Sequence, residues 1–424
     1  MKSESNTAHL SSWLKTDISS DFTIYNIPFG IAELPDHSIV AVSRIGDKVI
    51  NLYALQRDGY FDNFGHKLEG LLNLPYLNSF IEAGKEVTSG VRSRIIQLLE
   101  ENTEEISNKE EFDRKYFTSA HNVKMRLPVK VTDYTDFYSS IEHASNVGSM
   151  FRDPQNPLLP NWRHLPIGYH GRASSIVISG TPVHRPKGQI LPAGQDTPVF
   201  TATRMFDFEL ELAFVVGQKT ELGTSVPVDK AEDYIFGFLL FNDLSARDIQ
   251  SWEYVPLGPF LSKNFGSVVS PWIVTLEALE PYRIKGPAQE PEVLDYLKTN
   301  GLHNFDINLE VYIKPDEAEP SLVAATNFKY MYWNINQQLA HHTVNGCNIS
   351  IGDLYASGTI SGPTPGSYGS MLELTWRGRN KLKVGATERS FIEDYDTIIM
   401  RGYASKEGAR VGFGECETTV LPAK

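Results

Sequence analysis

Residues 208–216 combine two hydrophobic patterns within one predicted strand. Two acids, Glu209 and Glu211, first alternate with apolar side chains, and residues 212–216 then form an unbroken apolar run. Side chains two positions apart on a β-strand share a face, so both carboxylates point the same way. The apolar run predicts a strand that is buried on both faces, where carboxylates are costly without partners.

A second apolar run, residues 235–241, ends in Asn242 and Asp243. If this predicted buried strand lies beside the first one, Asp243 adds a third carboxylate to the pair. Carboxylates roughly 5 Å apart repel by about 3 kcal/mol at an effective dielectric constant of about 20, so the group requires a cation or a shared proton. None of these candidates is Cys or His, and purely oxygen ligands favour Ca²⁺ or Mg²⁺. The alternative is that the Glu-x-Glu motif is the solvent face of a half-exposed strand.

The hydrophobic pattern divides the chain into two regions. Up to about residue 120, strand-like pieces at 38–42 and 48–52 and a helical stretch at 93–101 predict a small mixed or β-rich domain. From about residue 127, many short β-like runs, such as 175–182, are separated by Gly and Pro turns. This pattern predicts a large β-rich barrel or sandwich-like domain with functional loops.

The composition fits a folded protein of two domains. The chain has 424 residues, of which 41% are hydrophobic, and a length of this size exceeds what one hydrophobic core normally supports. Asp and Glu number 52 against 39 Lys and Arg, and the bases form no block. We therefore expect no nucleic-acid partner and no anionic membrane partner.

The cysteines and the amino terminus indicate the cellular compartment of the protein. Cys347 and Cys416 are the only cysteines, which excludes a disulfide framework and fits a reducing compartment. Residues 1–6 lack an apolar signal core, and no segment approaches the roughly 20 apolar residues of a membrane span. The expected location is the cytoplasm.

A candidate acid and a candidate base lie at the start of the second region. The segment up to Gly148 suits a short helix with Asp136 at its N-cap and Gly148 beyond its end. Asp136 and His143 would then be about two helical turns apart and face the same side. The alternative is that Asp136 is only a cap and His143 is a surface residue.

The segment after Asp243 could form a polar helix face. Ser245 and Asp248 resemble the start of a capping box, which would place Arg247, Gln250 and Tyr254 on one side of a helix. A cation, an amide and a phenol that converge near a metal would suit an oxygen-rich substrate. An ordinary amphipathic turn with a salt bridge is the alternative.

Two later segments are predicted as regular elements. Residues 332–344 are typical of a helix, and residues 371–376 are typical of a strand with one acid, Glu373, among apolar neighbours. Glu373 is therefore either exposed at an edge or a buried carboxylate that requires a partner such as His143.

Several long segments together resemble the fumarylacetoacetase family from Asp133 to the carboxyl terminus. The segments that carry the resemblance are residues 133–138, 159–162, 168–175, 242–248, 252–260 and 341–348. The resemblance implies a mainly β protein with short helices, in which a small SH3-like amino-terminal domain at residues 1–125 precedes a large barrel-like or roll-like catalytic domain at 126–424.

The family resemblance also implies a set of site residues. A divalent cation, Ca²⁺ and/or Mg²⁺, would be held by Asp136, Glu209, Glu211 and Asp243, with Lys263 and Ser267 beside it. The family usually has Thr where this chain has Ser267, and both side chains offer a hydroxyl. The residues at the family's substrate-binding positions are Tyr138, Arg152, Tyr169, Gln250, Tyr254 and Thr359. Arg152 and the phenols suit a substrate with terminal carboxylates.

The implied activity is metal-dependent hydrolysis of a carbon-carbon bond in 4-fumarylacetoacetate, a diketo dicarboxylic acid, at the last step of tyrosine degradation. Glu373 would orient His143 to deprotonate water, and Arg247, Gln250 and Lys263 would stabilise the departing enolate. A homodimer is implied as well. An acylpyruvate hydrolase, a decarboxylase or an isomerase of the same superfamily is an alternative, and so is a noncatalytic calcium-binding β-protein.

Overall fold

The computed structural model describes residues 10–424. The amino-terminal residues 1–6, which the sequence predicts to lack a signal core, lie outside this range. The described chain is mainly β, as predicted, and none of its described helices is long and apolar enough to cross a membrane.

The first region contains an antiparallel sheet with the strand order β4-β3-β2-β1-β5. Its strands are β1 (Gly30–Glu33), β2 (Ile39–Ile45), β3 (Lys48–Asn51), β4 (Phe117–Ser119) and β5 (Lys124–Arg126). Its helices are α1 (Leu52–Arg57), α2 (Asn78–Glu82), α3 (Lys85–Leu99) and α4 (Lys109–Tyr116). The strands predicted at 38–42 and 48–52 are confirmed as β2 and β3, and α3 begins earlier than the predicted helix. The SH3-like character of this region stays a prediction.

The second region contains most of the strands. They are β6 (Tyr134–Phe137), β7 (Gly168–His170), β8 (Ile176–Ile178), β9 (Val183–His184), β10 (Lys187–Ile190), β11 (Val199–Ala202), β12 (Phe206–Asp207), β13 (Leu210–Val216), β14 (Ile235–Asp243), β15 (Ser245–Ala246), β16 (Ser267–Val269), β17 (Val274–Thr275), β18 (Arg283–Ile284), β19 (Asn304–Phe305), β20 (Asn308–Lys314), β21 (Ser321–Asn327), β22 (Leu354–Ala356), β23 (Leu382–Val384), β24 (Thr387–Arg389), β25 (Thr397–Lys406) and β26 (Ala409–Leu421).

The helices of the second region are short. They are α5 (Ile141–Phe151), α6 (Arg247–Glu253), α7 (Leu276–Leu279), α8 (Ile335–Thr343) and α9 (Met371–Leu374). Short 3₁₀ segments occupy Asp62–Lys67 and Ala120–Asn122 in the first region, and Ala173–Ser175, Val228–Tyr234, Glu280–Tyr282, Asp295–Leu297, Phe328–Tyr330 and Pro365–Ser367 in the second. The helix predicted at 332–344 is confirmed as α8.

Two sheets of the second region enclose its main core. One has the order β7-β6-β22-β13-β14-β16-β8, with β17 paired to β14, and the other has the order β21-β20-β25-β26-β9. Leu212 and Phe214 of β13 pack in one cluster with Val311 of β20 and Met400 of β25. One face of β13 is therefore buried against the second sheet.

The other face of the central strands is covered by the first region. Val215 of β13 and Leu239 of β14 belong to a cluster with Phe29 and Val91. Phe29 and Ile273 also exchange two backbone hydrogen bonds, of 3.0 and 2.8 Å. Strands β13 and β14 are consequently buried on both faces, as their continuous apolar runs predict.

Helix α5 corrects the predicted cap at Asp136. Asp136 lies on β6, and α5 begins after Ser140, whose hydroxyl accepts a hydrogen bond of 3.1 Å from the backbone N–H of His143. Gly148 does not end the helix. A Cβ atom at this position would lie 2.0 Å from the carbonyl oxygen of Pro157, so Gly148 is required by a close approach of the chain.

Helix α9 corrects the strand predicted at 371–376. Ser370 caps the helix, and its hydroxyl accepts a hydrogen bond from the N–H of Glu373. The alternation Leu372-Glu373-Leu374 suggested a strand, but the side-chain cap favours a helical turn. Similarly, Ser245 lies on β15 and does not cap α6, whose N-cap is Ala246.

Replacing Gly148 with Ala should destabilise the protein by about 1–3 kcal/mol, because the new methyl group overlaps backbone that cannot simply rotate away. Gly366→Ala is the control, since no atom lies within 4 Å of a Cβ there. Urea unfolding of the two variants measures the difference, and equal midpoints would contradict the close approach at Gly148.

Candidate active site

Four buried carboxylates converge at the ends of neighbouring strands. Asp136 of β6, Glu209, Glu211 of β13 and Asp243 of β14 each offer an oxygen, and these oxygens lie within 4.8 Å of one another. The order β6-β22-β13-β14 brings the three strands together, and the N–H of Asp243 donates to the carbonyl of Glu209 at 3.2 Å. The predicted proximity of the acids is therefore confirmed, and we call this group the acidic cluster.

Two basic side chains neutralise only part of the acidic cluster. The Lys263 Nζ atom donates to Glu209 at 2.5 Å and to Asp243 at 2.7 Å, while Arg247 Nη1 lies 2.7 Å from Glu209. The hydroxyl of Ser267 donates to Asp243 at 2.9 Å. Lys263 and Ser267 thus lie beside the acidic cluster.

The pKa shifts separate Glu209 from the other three acids, and burial raises the pKa of Asp243 as well, despite its contacts with Lys263 and Ser267. Burial raises the pKa of Glu209, but the charges of Lys263 and Arg247 outweigh burial, so this pKa lies below its ordinary value. The pKa values of Asp136 and Glu211 are raised well above their ordinary values, first by burial and then by neighbouring carboxylates. Without a cation, the ionised forms of Asp136 and Glu211 are therefore the least favoured in the cluster.

The same two acids carry oxygens without partners. Asp136 Oδ1 and Glu211 Oε1 are buried and accept no hydrogen bond from any of residues 10–424. A buried charged oxygen without a partner is costly, and a set of carboxylate oxygens is the donor set that hard divalent cations prefer. The residues present therefore fit a divalent cation.

A histidine and a glutamate form a buried pair beside this cluster. His143 Nδ1 lies 2.7 Å from Glu373 Oε2, with the two side chains 5% and 0% exposed. Glu373 also accepts hydrogen bonds from Asn146 at 2.9 Å and from the hydroxyls of Ser361 and Ser370 at 3.0 and 2.8 Å. Because Nδ1 is engaged by Glu373, Nε2 is the ring nitrogen available to a ligand.

The hydrogen bonds to Glu373 keep its carboxylate ionised. Burial raises the pKa of Glu373, but the charge of His143 and the hydrogen bonds from His143, Asn146 and Ser370 outweigh burial, so the pKa lies below its ordinary value. An ionised Glu373 stabilises a positive charge on His143. The pair, predicted as one option for Glu373, is therefore present in a form suited to proton transfer.

One cavity of about 470 Å³ joins these groups, a volume typical of a small-molecule site. Its lining includes His143, Arg247, Lys263, Asp136 and Glu209. All of the residues expected to contact substrate also line it, and they are Tyr138, Arg152, Tyr169, Gln250, Tyr254 and Thr359.

The polar face predicted for α6 is present. Arg247 Nη1 donates to Gln250 Oε1 at 3.1 Å, and Tyr254, at the end of α6, is half exposed at the cavity. Arg247 Nη2 and Thr359 Oγ1 are buried and lack a hydrogen-bond partner within the described chain. Both atoms are available to oxygens of a ligand.

Sequence reasoning missed the residues that support the functional side chains. These residues are Asp207, Asn146, Ser361 and Ser370. Asp207 continues the alternation of Glu209 and Glu211 toward the amino terminus, and Asn146 lies one helical turn after His143. Both spacings are visible in the sequence, whereas the two serines become neighbours of Glu373 only in the folded chain.

Two family models together match almost the whole described chain. The model described as "Fumarylacetoacetase N-terminal" matches residues 25–128, and "Fumarylacetoacetate (FAA) hydrolase C-terminal" matches residues 133–421. The acidic cluster, the His143–Glu373 pair and the cavity all lie within the second match.

Similar proteins agree with the two models. Fumarylacetoacetase of Dictyostelium discoideum is 50% identical over 424 residues, which cover 98% of each chain, and that of Homo sapiens is 46% identical over 95% of this chain and 97% of its own. A solved structure of fumarylacetoacetate hydrolase from Exiguobacterium antarcticum covers 94% of this chain and 100% of its own, with 15% identity and a TM-score of 0.52, which supports the fold alone. The chain belongs to the fumarylacetoacetase family.

Proposed function

We propose that the protein hydrolyses 4-fumarylacetoacetate to fumarate and acetoacetate, the last step of tyrosine degradation. Membership of the family supports this reaction, since the similar proteins of other organisms are named fumarylacetoacetase after this substrate. The observation that carries the proposal is the buried His143–Glu373 pair, which opens into the same cavity as the acidic cluster.

The acidic cluster would hold a divalent cation, Ca²⁺ or Mg²⁺. Its ligands would be Asp136, Glu209, Glu211 and Asp243, and Lys263 and Ser267 would orient the carboxylates through their hydrogen bonds. When bound, such an ion would draw electron density from a carbonyl oxygen of the substrate.

His143 would act as the general base. Its Nε2 removes a proton from water while Glu373 stabilises the imidazolium that forms. The water oxygen then bonds to the carbonyl carbon of the fumaryl group, which becomes a carboxyl carbon of fumarate. When the adjacent carbon-carbon bond breaks, its electron pair leaves with the acetoacetate fragment as an enolate, and protonation of that carbon completes the reaction.

The remaining cavity residues would bind the two ends of the substrate. Arg152, Tyr138 and Tyr254 suit a terminal carboxylate, because a guanidinium and phenols donate hydrogen bonds to it. Arg247 Nη2 has no partner among the described residues, so it can donate to the enolate together with Gln250 and Lys263. Tyr169 and Thr359 would contact the substrate between these groups.

The activated water distinguishes hydrolysis from related reactions of keto acids. A decarboxylase needs no base that deprotonates water, since the bond to the departing carbon dioxide breaks without a nucleophile. The Nδ1 atom of His143 is held by Glu373 at 2.7 Å, which is the arrangement that a water-activating base requires.

We also propose a homodimer in the cytoplasm. The loop after α6 exposes large apolar side chains, with Leu257 96% and Phe260 68% exposed, and exposed apolar surface of this kind is typical of an interface between proteins. Cys347 and Cys416 are both free, which suits a reducing compartment.

The reaction can be tested by the loss of fumarylacetoacetate absorbance. We expect fumarate and acetoacetate in equal amounts, and we expect a chelator to stop their formation. Glu373→Gln should keep the fold and lower kcat by about 10²–10⁴-fold, because the imidazolium loses its countercharge.

Glu232→Gln is the matched control for Glu373→Gln. Glu232 also contacts a histidine, His303, at 3.1 Å, but it forms a salt bridge with Arg283 and does not line the cavity. This variant should keep the wild-type kcat. Equal rates for the wild type and Glu373→Gln would contradict the proposed role of the pair.

The cation can be tested through stability. Glu211→Gln should raise Tm in the presence of chelator, because burial and the neighbouring carboxylates oppose the charge of Glu211, whose Oε1 atom also has no partner in the described chain. Ca²⁺ at about 100 times its Kd should stabilise the wild type by about 2.7 kcal/mol and should stabilise the variant far less.

Glu310→Gln is the control for the cation test. Glu310 lies on β20 and accepts a hydrogen bond from Tyr312, outside the acidic cluster. Its variant should respond to Ca²⁺ like the wild type in differential scanning calorimetry. An undiminished response of Glu211→Gln would remove Glu211 from the proposed ligands.

A further inference from the structure

Asp207 is a completely buried carboxylate that does not line the cavity. It lies at the end of β12, and its oxygens accept hydrogen bonds from Arg247 Nε at 2.7 Å, from the N–H of Met371 at 2.7 Å and from the N–H of Leu372 at 3.0 Å. These donors belong to α6 and α9, which lie far from Asp207 and from each other in the sequence. One side chain thus joins three elements.

The contact with α9 determines where Glu373 lies. Met371 and Leu372 are the first two residues of this helix, and the first N–H groups of any helix lack partners within the helix. Asp207 satisfies both of them, while Ser370 caps the N–H of Glu373. The start of the helix is therefore anchored to β12 immediately before the residue that contacts His143.

The contact with α6 determines where Arg247 points. Its Nε is held by Asp207, and its Nη1 is held by Glu209 at 2.7 Å and Gln250 at 3.1 Å. Its Nη2 is left without a partner in the described part of the chain. A guanidinium is planar and rigid, so fixing Nε and Nη1 also fixes the direction in which Nη2 can donate.

We propose that Asp207 is a positioning residue that fixes the position of Arg247 relative to the His143–Glu373 pair. It would do so through α6 and α9 without touching the substrate. This inference rests on the proposed function, in which His143 activates water and Arg247 stabilises the enolate formed in the same reaction. A displacement of about 1 Å at such a site can cost about 100-fold in rate.

Asp207→Asn tests the proposal with little change in shape. The amide oxygen can accept from one backbone N–H of α9, but the amide NH₂ is a donor and faces the other donors that Asp207 now accepts. We expect kcat to fall about 100-fold. KM should change much less, because Arg152 and Tyr254 remain in place for the substrate carboxylate.

Asp396→Asn is the matched control. Asp396 is also buried, accepts from Arg389 at 2.8 and 2.9 Å and from the N–H of Glu393 at 2.9 Å, and does not line the cavity. Its variant should lose stability as Asp207→Asn does and should keep kcat. An equal loss of kcat in both variants would show that Asp207 has only a structural role, and it would overturn the proposal.

Proton NMR gives a second readout that does not depend on turnover. The His143 Nδ1–H bonded to Glu373 should give a downfield resonance, assigned by its loss in His143→Gln. We expect Asp207→Asn to shift or broaden this resonance and Asp396→Asn to leave it unchanged. An unchanged resonance together with wild-type kcat in Asp207→Asn would overturn the proposal.

Two further arms complete the test. If Asp207→Asn does not fold, Asp207→Ser, which keeps one acceptor, should show the same changes in kcat and resonance. If the wild type does not hydrolyse fumarylacetoacetate, the proposed function fails, and the resonances of the Asp207 and Asp396 variants still decide whether Asp207 positions the pair.

The double variant of Asp207→Asn and Glu373→Gln gives a further check. Its fold loss in kcat should be smaller than the product of the fold losses of the two single variants, because both residues act on the His143–Glu373 pair.

Discussion

Burial of four carboxylates with too few countercharges is the constraint on which the site depends. Lys263 and Arg247 neutralise Glu209 and contact Asp243 or Asp207, but they leave Asp136 and Glu211 with oxygens that accept nothing in the described chain. An unpaired buried charge normally costs several kcal/mol. The fold tolerates this cost because the same oxygens are the ligands that a divalent cation requires.

The fold covers one side of the site with apolar side chains and leaves a cavity on the other side. The first region packs its apolar core against the face of β13 and β14 that carries the acids, and the low dielectric constant there strengthens every charge interaction. The cavity lies on the other side, where α5 and α6 present His143 and Arg247. The cavity therefore gives water and substrate access to the charged groups that line it.

The sequence predicts what depends on local periodicity. The strand period of two places Glu209 and Glu211 on one face, and the apolar runs of β13 and β14 indicate that the acids are buried. The helix predicted to begin at Asp136 was wrong because Ser140 provides the cap, and both residue types cap helices well. The strand predicted around Glu373 was also wrong. This segment forms a helical turn that depends on Ser370 and on Asp207, which lies more than 160 residues away in the sequence.

Anomalous diffraction from crystals grown with Mn²⁺ tests the central claim most directly, because Mn²⁺ accepts the same carboxylate ligands as Mg²⁺. We expect one strong peak per chain in contact with Asp136, Glu209, Glu211 and Asp243. The peak should be absent in crystals of Glu211→Gln. A wild-type cluster without a peak, or a peak bound only elsewhere on the chain, would contradict the claim that these carboxylates form a cation site.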